Sequence, residues 1–118
     1  MSALFHYAFH VTSLAETRDF YTNVLGCTEG RSTDTWIDFD FYGHQLSGHV
    51  SKNFPALDYC GKVDGVNVPI PHFGCVLTIS QFETLQQTFE ANHIEFVVKP
   101  QIRYAGQTGE QRTMFVFD

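Results

Sequence analysis

The sequence predicts one α+β domain assembled from two tandem copies of a strand–helix–strands unit. Two observations carry that prediction. An alternating apolar segment runs into a helix-capping signal twice, at 4–16 and again at 72–83, and further alternating segments follow each helix. Each copy also opens with a histidine, His6 and His72, giving a period of about 66 residues. That period fits duplication of one supersecondary unit and is too long for a solenoid repeat.

The first unit reads as follows. LFHYAFHV, 4–11, is a strand with Phe5, Tyr7, Phe9 and Val11 on one face and His6, Ala8 and His10 on the other. Ser13 and Glu16 form a capping box, and Leu14, Thr17, Phe20, Tyr21, Val24 and Leu25 fall at helical spacing up to Gly26. The helix is therefore expected over about 14–25. A weak strand is read at 28–33. TWIDFDFY, 35–42, alternates Ile37, Phe39 and Phe41 against Trp36, Asp38, Asp40 and Tyr42. After a turn at Gly43-His44, QLSGHV, 45–50, returns with Gln45, Ser47 and His49 on one face.

Residues 51–71, with three prolines and two glycines, read as a connecting loop between a first module at 1–50 and a second at 72–118. HFGCVLTI, 72–79, is the second unit's opening strand, and Ser80 with Glu83 is its capping box. Phe82, Leu85 and Phe89 point inward on the helix, with Asn92 near its end. Strands follow at 94–98 and 112–117, flanking a polar loop at 101–111. Counted against the first unit, the second is one strand short.

Composition bounds the function. At 118 residues and 15% aromatic, with twelve phenylalanines, the chain has a well-filled core without needing cross-links. A net charge of −6 and scattered basic residues argue against a nucleic-acid surface. No apolar run reaches the ~18–20 residues of a membrane span, and no signal-peptide layout opens the chain, so a cytoplasmic protein is expected. Three cysteines without a CxxC spacing point to free thiols in a reducing compartment.

FHYAFHVTSLAETRDFYTNVLGC resembles the opening of the vicinal oxygen chelate superfamily, the glyoxalase/bleomycin resistance protein/extradiol dioxygenase group. HFGCVLTISQFETL is similar to the start of that family's second module, and FDFYGHQL and GEQRTMFVFD to its paired strands. The resemblance implies two βαβββ modules whose strands curl into a U-shaped sheet around a cavity, with helices outside. It implies one divalent metal there (Fe, Mn, Zn or Ni), His6 and His72 being the first two ligands. The third, a carboxylate, is expected on a strand beyond Asp118. Two imidazoles and a carboxylate on one side of an ion leave positions open for a small oxygenated substrate.

Other candidates follow from position. His49, on the face of Gln45 and Ser47, is a candidate substitute ligand or substrate contact, or else faces solvent. His10, on the His6 face, is read as a cavity-wall residue rather than a ligand. Trp36 is a candidate for stacking on an aromatic substrate or a rim residue. Arg103 is a candidate anion contact. Glu110 is read either as a general base at the cavity mouth or as a solvated loop residue. His44 and His93 read as surface residues. Two activities stay open: a metal-dependent dioxygenase, lyase or isomerase, and a metal-free protein that sequesters a small molecule, as bleomycin-resistance members do. The free sheet edge left by the missing strand, together with the resemblance, implies a homodimer.

Overall fold

A computed structural model of the chain describes residues 3–63, 65–103, 105–106 and 111–118, with the side chains of Val63, Arg103 and Gln111 left aside. The fold is mixed α+β, as the sequence predicts. It comprises two compact units, Met1–Phe54 with Asp118, and Pro55–Phe117. No helix among the described residues is long and apolar enough to cross a membrane. Cys60 and Cys75 are free thiols.

In the first unit, β1 (His6–Val11) leads through Ser13 into α1 (Leu14–Asp19). The Ser13 side chain accepts from the Glu16 N–H at 3.3 Å, which is the Ser13 half of the predicted capping box. The predicted helix does not stay α-helical to residue 25. Phe20–Val24 is π-helical, closed by the Leu25 N–H donating to the Phe20 carbonyl at 2.9 Å, and the chain leaves through Gly26 at φ 75°. Three strands follow: β2 (Thr28–Ser32), β3 (Trp36–Phe41) and β4 (His44–Val50).

The sheet order is β1-β4-β3-β2, with β1 parallel to β4 and the remaining pairs antiparallel. A parallel pair needs a long crossover, and α1 with β2 and β3 supplies it. The hairpin joining β3 to β4 turns on Tyr42 and Gly43, both at positive φ (50° and 85°), as a type I′ turn requires. Gly48 lies where β4 passes close to β1 and α1. A Cβ there would meet Val11 Cγ1 at 3.1 Å and Thr17 Cγ2 at 3.4 Å.

Alternation decides what is buried. Tyr21, Ile37, Phe39 and Leu46 form the core of this unit, with Tyr7, Phe9, Leu14, Phe20, Leu25, Cys27 and Phe41 packed around them. The Tyr21 ring stacks on Phe39 at 4.9 Å and leans on Phe9 at 5.6 Å. Each such apolar side chain contributes roughly 1.5–3 kcal/mol on burial. With that face committed to the helix, the other face of the same strands is left for His6, Asp38, Gln45 and their neighbours.

The second unit departs from the sequence reading in three places. Residues 58–70, expected as loop, form a hairpin of β5 (Asp58–Val63) and β6 (Val66–Ile70). Its prolines and glycines read as breakers, yet Pro69 is tolerated near the end of a two-stranded ladder. Gly61 is there for space, since a Cβ would lie 2.8 Å from Val68 Cγ2.

Residues 72–78, expected as a strand, carry no regular structure. In the first unit the corresponding β1 pairs with β4 alone. The second unit has α2 (Ile79–Ala91) and the antiparallel pair β7 (Phe96–Arg103) and β8 (Gln111–Val116), with no counterpart of β4 among the described residues. Without that ladder partner, alternation alone does not make a strand.

The cap of α2 is Thr78, not Ser80. Thr78 Oγ1 accepts from the Gln81 N–H at 3.1 Å, and Gln81 Oε1 accepts from the Thr78 N–H at 2.9 Å. Both Thr78-x-x-Gln81 and Ser80-x-x-Glu83 match the box pattern. Only the Thr78 frame puts apolar residues, Leu77 and Phe82, at the two positions of a hydrophobic staple. Phe89 is buried as predicted, edge-to-face with Phe96 at 6.1 Å. Arg112 joins β8 to α2, with its Nη1 3.0 Å from Glu83 Oε1 and its guanidinium 5.0 Å from the Phe82 ring centre.

Candidate metal and substrate site

The face of the first unit's sheet opposite the helix is ruled into three rows by strand register. His6 pairs with Gln45 and Gln45 with Asp40; Ala8 with Ser47 and Ser47 with Asp38; His10 with His49 and His49 with Trp36. The middle row is the buried one. Asp38 is 7% exposed and Ser47 4%. A carboxylate that far from water needs hydrogen-bond donors. Ser47 Oγ donates to Asp38 Oδ1 in a short bond, and Gln45 Nε2 donates to Asp38 Oδ2 at 3.5 Å. Gly30 brings β2 close to the same residue, because a Cβ there would meet Asp38 Cβ at 3.3 Å.

The first row carries the candidate ligand. His6 is exposed, and its Nδ1 lies 2.8 Å from Gln45 Oε1. An amide oxygen only accepts, so Nδ1 carries the proton, and in the neutral ring Nε2 is the nitrogen with the lone pair. In the second unit, His72 Nδ1 lies 2.6 Å from the Pro69 carbonyl oxygen, and the same reasoning leaves its Nε2 as the lone-pair nitrogen. The His72 ring also meets Phe115 of β8 edge-on at 4.9 Å. Metal-binding histidines are commonly held in this way, by one ring N–H donated to an oxygen. The two imidazoles therefore fit a divalent ion in donor type and tautomer. Among the described residues no group of three or more His, Cys, Asp or Glu side chains is arranged to hold a metal.

The other candidates fall in distinct places. His10 Nδ1 is 2.7 Å from Ser51 Oγ, and its ring meets Phe54 edge-on at 5.8 Å. His49 and Trp36 lie 6.3 Å apart, tilted by 35°. The three rings of His10, His49 and Trp36 make the third row aromatic. Arg103 closes β7, and Glu110 lies outside the described residues. His44 accepts the Phe5 N–H on its Nδ1 at 3.0 Å, so its tautomer is the opposite of that at His6. His44 and His93 are exposed, as read.

A groove of about 240 Å³ lies at the end of the first helix, lined by Leu25, Gly26, Cys27, Thr28, Asp40 and Tyr42. None of the sequence-predicted site residues lines it.

A family model described as the glyoxalase/bleomycin resistance protein/dioxygenase superfamily matches residues 3–118. The chain belongs to this superfamily. Among solved structures of the superfamily's fold, a glyoxalase/bleomycin resistance protein/dioxygenase from Alicyclobacillus acidocaldarius is 28% identical, with a TM-score of 0.81 over 98% of this chain and 83% of that one. The genomically encoded fosfomycin resistance protein FosX from Listeria monocytogenes is 17% identical, with a TM-score of 0.69 over 100% of this chain and 85% of that one. An integron cassette protein from the mobile metagenome of V. cholerae is 21% identical, with a TM-score of 0.65 over 100% and 88%. No curated protein matches the chain.

Gln45, Asp38 and Ser47 were not singled out from the sequence, although the signal was present. Polar residues alternate with Ile37, Phe39 and Leu46 on two adjacent strands, which places them together on the face away from the helix.

Proposed function

We propose that this glyoxalase-superfamily chain is a divalent-metal-dependent enzyme of dioxygenase, lyase or isomerase type, acting on a small molecule with two adjacent oxygen atoms. The observation that carries the reading is the matched state of His6 and His72, each with Nδ1–H committed to an oxygen and Nε2 left as donor atom. A divalent ion held there supplies Lewis acidity toward substrate oxygens. The protein's own contribution is to orient the two rings.

The aromatic row of Trp36, His49 and His10 forms one wall for the substrate. We propose Arg103 as the contact for an anionic group of the substrate and Glu110 as a general base. FosX supports a reading as an enzyme-like resistance protein only by likeness of fold. We further propose that the chain works as a homodimer, checked by its mass in solution.

Metal analysis of purified protein tests the proposal. Near-stoichiometric Fe, Mn, Zn or Ni that is lost in both His6→Ala and His72→Ala supports it. A folded protein that takes up none of these ions, yet binds small aromatic or cationic molecules, establishes the sequestering reading instead.

A further inference from the structure

The environment of Gln45 goes beyond the ligand assignment and deepens it, resting on His6 as a ligand. We infer that Gln45 is a positioning residue: anchored through its amide nitrogen on the buried carboxylate of Asp38, it holds His6 in the Nδ1–H tautomer and so presents Nε2 to the open face.

Three contacts define the device. Asp38 Oδ1 is occupied by Ser47 Oγ–H, which leaves Oδ2 facing Gln45. A carboxylate offers no donor, so the Gln45 group toward it is the NH₂. The amide is planar, and its oxygen then points the other way, where His6 Nδ1 lies at 2.8 Å. An acceptor at that place admits only a ring nitrogen bearing hydrogen. The direction of the amide, set by a buried carboxylate, thus decides which imidazole nitrogen keeps a lone pair.

The neighbouring contacts fit this arrangement. Asp40 pairs with Gln45 across the ladder, and its Oδ1 accepts the Gly43 N–H in the hairpin turn at 2.8 Å. His44 shows what the same ring does without such an acceptor, taking the Phe5 N–H on Nδ1. Gly30 of β2 leaves room for Asp38, since a Cβ there would meet Asp38 Cβ at 3.3 Å. Every link is a side chain on β1, β3 or β4, whose backbones stand in fixed register.

The test reads tautomers directly. In the metal-free full chain, ¹⁵N imidazole spectra at a pH where His6 is neutral should show Nδ1–H at His6. Gln45→Leu should shift His6 toward Nε2–H. In parallel, Zn²⁺ titrated into the same proteins should bind ten- to a hundredfold more weakly to Gln45→Leu than to wild type.

An Nε2–H signal for His6 in wild type overturns the inference, and that measurement needs no variant to fold. So does an unchanged tautomer in a folded Gln45→Leu protein, or a changed tautomer with unchanged Zn²⁺ affinity. A wild-type chain that binds no Zn²⁺ or other divalent ion defeats the enzyme proposal, and the tautomer spectra still decide the role of Gln45.

Discussion

The Tyr21 hydroxyl donates to Asp118 Oδ2 at 2.8 Å, joining residues 97 positions apart in the chain. Tyr21 is 2% exposed and stacked on Phe39, so this hydroxyl is the polar tip of an otherwise apolar core. Burial first, and then the negative charge of Asp118, pushes its pKa well above the ordinary tyrosine value.

That shift has a sign. The folded state keeps the Tyr21 proton at a pH where the unfolded chain releases it. Stability from this group is complete below about pH 10 and declines above it by about 1.4 kcal/mol per pH unit. Tyr21→Phe should cost about 1 kcal/mol at pH 7, where only a hydrogen bond is lost. Urea melts of both proteins at pH 7 and pH 10.5 should therefore show the gap closing or reversing at the higher pH. A gap that widens there contradicts the assignment.

The two competing caps of α2 predict opposite outcomes. Thr78→Ala removes the oxygen that accepts the Gln81 N–H and should lower stability by about 1 kcal/mol. Ser80 lies inside the helix, and Ser80→Ala should be neutral or slightly favourable because alanine is the better helix former. Thermal melts of the two variants settle the frame. Equal destabilisation would return the cap to Ser80.

Gly61→Ala tests the hairpin that the sequence reading took for loop. The added methyl would sit 2.8 Å from Val68 Cγ2 and 3.2 Å from Ile70 Cδ1, with Val68 itself buried. Overpacking of this kind should cost about 1–3 kcal/mol. Amide exchange in β5 and β6 should speed up together, and unchanged exchange there would count against the β5–β6 ladder.

Ser47→Ala strips the Asp38 carboxylate of its short hydrogen bond while leaving Gln45 in place. A buried acceptor that loses a partner costs about 1–3 kcal/mol. The denaturation midpoint should fall by that amount with an unchanged urea slope, because no core packing is removed. A variant as stable as wild type would mean that water already serves Asp38.

The legible parts of this fold are those where local chemistry and burial agree. Alternation in 36–41 and 45–50 matched β3 and β4 because one face of each packs on α1, so period two is enforced by the core. Ser13 and Gly26 marked the first helix because capping and positive φ are local demands. The candidate ligands were legible as residue types repeated at one period. Their state was not, since the partners of His6 and His72 are Gln45 and Pro69, the first 39 positions away.

By itself, then, the amino-acid order determined the fold class and which face of each first-unit strand is apolar. Tertiary structure alone decided that 72–78 is not a strand, that 58–70 is a hairpin, which cap α2 uses, and which nitrogen of each histidine is free. The division follows from range. Propensity and periodicity act over a few residues, whereas ladder partners and hydrogen-bond acceptors are supplied by chain segments brought close only when the domain folds.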